Sequence, residues 1–241
     1  MRIREKIFLR TGYGLINLDK YQPLIGYHLI KLFEKMRVNV VLDVGANDGS
    51  YGKTLRKYGY KGHILSFEPL SSAFESLKTS TLKDKKWSAY NIALGSHREE
   101  KELSVMRSSD FSSFLEPNSY ARLKWVDNVE CIKKERVFVE RLDEILQDVL
   151  PAELSEIRIF LKMDTQGYDL NVFQGALGIL KHLVGIQSEL SFNAIYSGMP
   201  SYIEMLSVFE EHGFKPTGFF PVSKDKENMV IVEADCVFRK I

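Results

Sequence analysis

VNVVLDVGANDGSYG, residues 38–52, reads as a buried strand that ends in an acid and then breaks into a glycine-bearing turn. Val38, Val40, Val41, Leu42 and Val44 form a short apolar, β-branched run. Such a run suits the central strand of a parallel sheet covered on both faces. Gly45 and Gly49 permit a tight turn and a close backbone approach that a Cβ would block. Asp43 stands at the carboxyl end of the strand, where open α/β sheets place their ligands. Together these features predict a nucleotide-type cofactor cradled at the first strand-to-helix turn.

The spacing narrows the cofactor. A dinucleotide fingerprint wants G-x-G-x-x-G, so that a pyrophosphate can lie against the helix N-terminus. Here the turn is Gly45-Ala46-Asn47-Asp48-Gly49, with Asn47 where the middle glycine would stand and an extra acid in the loop. An acid repels a pyrophosphate but suits a cofactor that carries a sulfonium and an amino group, which is S-adenosylmethionine. About twenty residues on, His63-Ile64-Leu65-Ser66-Phe67 reads as a second strand ending in Glu68-Pro69. A carboxylate at that tip can accept hydrogen bonds from both ribose hydroxyls. NAD would use such an acid equally well, so Glu68 supports adenosine and only the glycine spacing selects the methyl donor.

The 241 residues, 44% of them hydrophobic, are enough for one large α/β unit with a full core. A balance of 33 basic and 32 acidic residues gives no overall field that would attract nucleic acid. Residues 1–37 differ, with eight Lys or Arg against three acids, and such a basic leader suits contact with anionic lipid or a phosphorylated carrier. Apolar runs are too short for a membrane span or a signal peptide, which makes the cytoplasm the default compartment. Cys131 and Cys236 lie far apart without metal or disulfide spacing and read as reduced thiols.

Along the chain, residues 1–37 read as an irregular start and then a helix that docks as a lid. A helix is predicted at about 50–58, and Ser72 with Glu75 reads as the capping box of the next one. A third strand fits Trp87 to Leu94. The pattern then loosens over 95–156, with the polar run 107–113 and a short helix at 142–150; as loops on a rigid scaffold, this insertion is the expected substrate-facing region. Residues 107–128 are expected to move with the lid. A fourth strand, 157–163, ends in Asp164-Thr165-Gln166-Gly167-Tyr168-Asp169, and Leu170, Phe173, Leu177 and Leu180 give the following helix its core face. A fifth strand, 183–188, ends in Glu189-Leu190-Ser191-Phe192-Asn193. Ser201 and Glu204 form another capping box, Gly213 ends that helix, and 214–221 with 229–238 form an antiparallel hairpin.

The ordered set LDVGANDGSYG, SFEPL, NIALG, the serine pair at 112–113, RLDEIL, LKMDTQGYD, QSELS and the final Asp235-Cys236-Val237-Phe238 resembles the FkbM family of S-adenosylmethionine-dependent methyltransferases over nearly the whole chain. The resemblance implies a Rossmann-like class I methyltransferase fold of the α/β class. Its mostly parallel seven-stranded sheet has the order 3-2-1-4-5-7-6, with the last strand antiparallel and helices on both faces. It assigns 1–37 to an N-terminal helical extension and 38–241 to the methyltransferase domain. Carried onto this sequence, Asp43, Gly45, Asn47, Asp48 and Gly49 hold the methionine half, Glu68 and Pro69 the ribose side, and Asn91 to Ala93 the adenine. The acceptor implied is a hydroxyl of a saccharide or a related natural product. The family's usual acid-x-glutamate-glycine appears here as Asp164-Thr165-Gln166-Gly167, a variant of glycan-related members.

Methyl transfer to a hydroxyl calls for an aligned oxygen and a group to take its proton. Asp164, at the carboxyl end of the fourth strand, is the first candidate; Glu189 and His97 are alternatives. Asp164, Glu189 and Asn193 also match an oxygen set for Mg²⁺, a reading less favoured than a metal-free one. Two other classes remain open: a non-catalytic module that binds an adenosine cofactor, and an NAD-dependent oxidoreductase, which the missing third glycine disfavours.

Overall fold

A computed structural model describes residues 24–241 except Glu153 and Lys226. Strands β1 (Val40–Val44) and β2 (His63–Phe67) are mostly apolar and buried at every position, the polar Asp43, His63 and Ser66 included. They are parallel and joined through α2 (Ser50–Lys57), with Val40 opposite His63 and Val44 opposite Phe67. α3 (Ser71–Thr81) leads to β3 (Trp87–Tyr90), and β7 (Ile159–Met163) pairs with the other side of β1. β8 (Leu183–Ser191), β9 (Phe214–Lys224) and β10 (Ile231–Lys240) complete a sheet of order β3-β2-β1-β7-β8-β10-β9. Counted in chain order within this sheet, that is 3-2-1-4-5-7-6, and the last strand runs antiparallel to both neighbours. The sequence-based fold holds.

Alternation along the strands divides the core in two. Val40, Leu42 and Val44 face a layer that includes Phe173 of α6 (Asp169–Gln174), Phe209 of α7 (Tyr202–Glu211) and Leu142 and Leu146 of α5 (Leu142–Val149). Val41 and Phe160 face α1 (Ile25–Met36), which buries Leu29, Leu32, Phe33 and Met36 against them. None of the α1 residues lines the cleft described below. The rest of the expected lid, residues 1–23, lies outside the described residues.

Four local expectations change. The run 87–94 is not one strand, because the Asn91 amide donates to the carbonyls of Glu68 and Pro69 and turns the chain. Ala93–Leu94 (β4) then pairs with β6 (Cys131–Glu140) in a second sheet of order β4-β6-β5, with β5 at Glu99–Met106. The insertion is therefore a sheet with a loop-rich segment on it. Its strands are hard to read because half of β5 and most of β6 are solvated, leaving only Val137 and Val139 of β6 buried. The capping box of Ser72 and Glu75 does not form, since α3 starts at Ser71, whose N–H and hydroxyl both donate to Glu135 of β6. The helix after β7 stops at Gln174, and Gly175 at its end packs so close to Gly95 that a Cβ would sit 2.0 Å from its carbonyl oxygen. Leu177 is consequently half-exposed. The Ser201 cap does form, with its side chain accepting from the Glu204 N–H.

Candidate active site

The carboxyl ends of β1, β2, β7, β8 and β9 and the amino end of the antiparallel β10 open into one cleft of about 400 Å³, at the point where the sheet order reverses between β1 and β7. Gly45 starts its floor at φ +72°, and a Cβ there would meet the Asp164 carbonyl oxygen at 2.0 Å. Only glycine lets the β1 turn lie against the end of β7. Asn47 follows in the left-handed region at φ +45°, and its N–H donates to Glu68 Oε2 at 2.8 Å. The other Glu68 oxygen accepts from the Leu70 N–H at 2.9 Å. Each carboxylate oxygen therefore spends one lone pair on the backbone and keeps one for the cleft. Pro69, Ile92, Ala93 and Leu103 continue this half of the lining.

The other half is built from Asp164, Gln166, Glu189, Ser223 and Glu233, facing Phe111 and Trp125 of the insertion. Gln166 holds its acids together: its Nε2 lies 3.2 Å from both Asp164 Oδ1 and Glu189 Oε2. Asp164 is 39% exposed, with Lys162 Nζ 3.4 Å from its other oxygen. It does not cap α6, whose N-cap is Tyr168 with no side-chain cap bond; Asp169, the first helical residue, accepts instead from the Thr165 N–H and hydroxyl and closes the loop after β7.

Burial dominates the electrostatics. It pushes the Glu68 carboxyl up to about 7 and Asp235 up to about 6. Glu189 rises well above the glutamate range from burial first and the Asp164 charge second. Such groups hold protons in the folded chain that the unfolded chain has released, so they stabilise it below the ordinary carboxyl range and lose that contribution as pH rises through about 6 to 7. The ligand-free protein is accordingly expected to lose on the order of 1–3 kcal/mol between about pH 5 and 7.5. Thermal unfolding across that range checks this, and a melting temperature that climbs with pH would contradict it.

A family model for the methyltransferase FkbM domain matches residues 43–216, from the acid of β1 into β9. The chain belongs to the FkbM methyltransferase family. Among solved structures, an FkbM methyltransferase from Methylobacillus flagellatus KT is 13% identical, with a TM-score of 0.47 over 84% of this chain, which spans 43% of that protein's length. Fibrillarin of Aeropyrum pernix, solved with natively bound S-adenosyl-L-methionine, is 10% identical with a TM-score of 0.45, covering 83% of this chain and 66% of that one. Magnesium protoporphyrin IX methyltransferase from Synechocystis PCC 6803, solved with the same cofactor, is 8% identical with a TM-score of 0.46, covering 99% and 95%. No curated protein is significantly similar in sequence.

Of the residues that the FkbM resemblance assigns to the cofactor, Gly45, Asn47, Glu68, Pro69 and Ala93 line the cleft. Asp43 does not. It points to the opposite face of the sheet, fully buried, with Ser66 donating to Oδ2 and Lys162 Nζ 3.1 Å from Oδ1. Asp48 turns outward and accepts from the Ser50 N–H and hydroxyl, organising the start of α2 beside Gly49. Asn91 braces the Glu68-Pro69 backbone. His97 is exposed outside the cleft, with Ser96 as partner. The Mg²⁺ set is not assembled, because Asp164 and Glu189 share the cleft while Asn193 is exposed outside it. No group of three or more His, Cys, Asp or Glu side chains is arranged as metal ligands among the described residues.

The sequence reading did not single out Glu233, Ser223, Trp125 or Tyr196. Their signal was slight: Glu233 shares its strand with Asp235, Arg239 and Lys240, and nothing local announces that it shares the cleft with Glu189.

The donor set of the first half fits an adenosine cofactor. Replacing Glu68 by Gln sets an amide NH₂ against one of the two backbone N–H groups as well as removing an acceptor. Charge-assisted bonds of this kind are worth about 1.5–3 kcal/mol each. Calorimetry on Glu68→Gln is expected to show S-adenosylmethionine affinity down at least about tenfold, with a modest fall in melting temperature. Unchanged affinity would remove Glu68 from the site.

Proposed function

We propose that this chain transfers a methyl group from S-adenosylmethionine to a hydroxyl of a saccharide or a related natural product. The observation that carries the reading is that Glu68 and Asp164, at the tips of β2 and β7, flank the Gly45 turn in a single cleft. Glu68 is placed to accept ribose hydroxyls, the Gly45 to Asn47 backbone to border the methionine half, and Ile92 with Ala93 to pack on adenine. When bound, the cofactor supplies a methyl group already activated on a sulfonium.

What remains for the protein is alignment, exclusion of water and removal of a proton. Alignment of this kind is worth about 7–11 kcal/mol. Asp164, half-exposed in the cleft with Lys162 Nζ 3.4 Å away, is the carboxyl proposed to take the proton the hydroxyl gives up. Phe111 and Trp125 offer flat apolar faces to a sugar ring, and Ser223, Glu189 and Glu233 offer hydrogen-bonding groups to its hydroxyls. Mass spectrometry of a glycan pool incubated with the protein and isotopically labelled methyl donor tests this. Label on a hydroxyl oxygen supports the reading, and label only on nitrogen or carbon acceptors overturns the choice of hydroxyl.

A further inference from the structure

Gln166 is tightly constrained within the cleft. Its backbone is in the left-handed region at φ +52°, a conformation that costs a residue with a long side chain energy unless its surroundings demand it. Four contacts supply that demand. The backbone carbonyl accepts from the Ser113 hydroxyl at 2.7 Å, Nε2 reaches Asp164 and Glu189, and Oε1 lies 2.9 Å from the hydroxyl of Tyr196. Tyr196 is buried, with the Phe111 carbonyl at the same 2.9 Å as a second acceptor for its single proton. These partners come from the insertion, the β7 loop, β8 and the loop after it.

The chemistry of the amide fixes its orientation. With Nε2 toward the carboxyls, two donor hydrogens meet two acceptors and Oε1 meets a hydroxyl; flipped, an oxygen would face two acids. In this chain the amide therefore bridges the two carboxyls with a donor for each. Glu189 Oε1 has no hydrogen-bonding partner among the described residues, although Glu189 lines the cleft.

We propose that Gln166 is a positioning residue: anchored on Tyr196, its amide holds the Asp164 and Glu189 carboxyls as a pair that faces the acceptor, leaving Glu189 Oε1 for a hydroxyl next to the one that reacts. This rests on the methyl-transfer reading of the same cleft. The acceptor class it implies carries hydroxyls on adjacent carbons, one meeting Asp164 and the other Glu189. The charged groups around Glu189 are Asp164 with Lys162 beneath it, Glu233 and Asp235 of β10, and Asp169 of α6; burial and these acids keep its carboxyl high. An amide N–H favours the ionised form of the carboxyl it touches, so losing it moves Glu189 higher still.

The test is carbon-13 NMR of the Asp and Glu carboxyls across pH, with signals assigned through Asp164→Asn and Glu189→Gln. In Gln166→Leu the Glu189 titration midpoint is expected to rise by about one pH unit, and the Asp164 resonance to shift at fixed pH. Gln166→Asn, whose shorter amide cannot reach both acids but tolerates the left-handed backbone, is expected to fold as the wild type and give the same shifts. Calorimetry on both variants is expected to show near-wild-type S-adenosylmethionine affinity, because the other half of the cleft carries the cofactor. If the wild type binds no S-adenosylmethionine, the functional reading fails while the NMR still reports on Gln166. Unmoved Glu189 and Asp164 signals in a folded Gln166→Asn protein would overturn the positioning role.

Discussion

Asp164→Asn is expected to keep S-adenosylmethionine bound and to cut methyl transfer by about 10²- to 10⁴-fold, the usual worth of a positioned proton acceptor. The substitution is nearly isosteric, and an Asn oxygen can still accept from Gln166, so the site keeps its shape while losing the ability to take a proton. Binding is expected to survive because Gly45, Asn47 and Glu68, the residues proposed to hold the cofactor, line the other half of the cleft. Single-turnover rates with calorimetric affinity on the same preparation separate the two effects. Near-normal turnover would remove Asp164 from the chemistry and move the search to Glu189 and Glu233, the other acids of that half of the cleft.

Lys162→Met is expected to be the most destabilising of the changes considered. Lys162 and Asp43 are register partners on β7 and β1, 4% and 0% exposed. Burial works against the Lys162 charge, yet Asp43 and then Asp164 outweigh it and hold the ammonium protonated. Its Nζ also donates to the Gly45 carbonyl at 3.0 Å, so one cation ties the first turn to β7. Methionine fills the space but leaves the Asp43 carboxylate buried with only Ser66 to donate to it. Breaking such a pair costs about 3–5 kcal/mol. For a chain of this length that is a fall of about 6–20 °C in melting temperature. The double change Lys162→Met with Asp43→Asn removes the orphaned charge and is expected to recover a large part of the loss. A single variant that melts within about 2 °C of the wild type would contradict this account of the pair.

Asp43 illustrates where the sequence is legible and where it is not. Its position at the end of a buried strand was plain from the valines around it, and so was the turn that follows. Which face its side chain took was not, because alternation along a strand buried on both sides leaves no polar pattern to read. The answer depends on Lys162, 119 residues on, whose charge inside the otherwise apolar strand Ile159–Met163 is a local hint that the strand has a buried anion to meet. The C-terminal hairpin was legible because two apolar runs flank a short turn-rich segment. β5 and β6 were not, since solvated strands carry charges on both faces and resemble a loop. In the site, Glu68 was legible from strand-end position alone, whereas Gln166 and Tyr196 become partners only through tertiary contact across 30 residues.

The cleft at the β1–β7 switch point is expected to take S-adenosylmethionine rather than a dinucleotide. Calorimetric titration of the purified chain with S-adenosylmethionine and, separately, with NAD measures it most directly. Saturable one-to-one binding of S-adenosylmethionine, weakened at least about tenfold by Glu68→Gln, with no heat of binding for NAD, is the result predicted here. Binding of NAD that S-adenosylmethionine cannot displace, or no binding of S-adenosylmethionine at all, would contradict it.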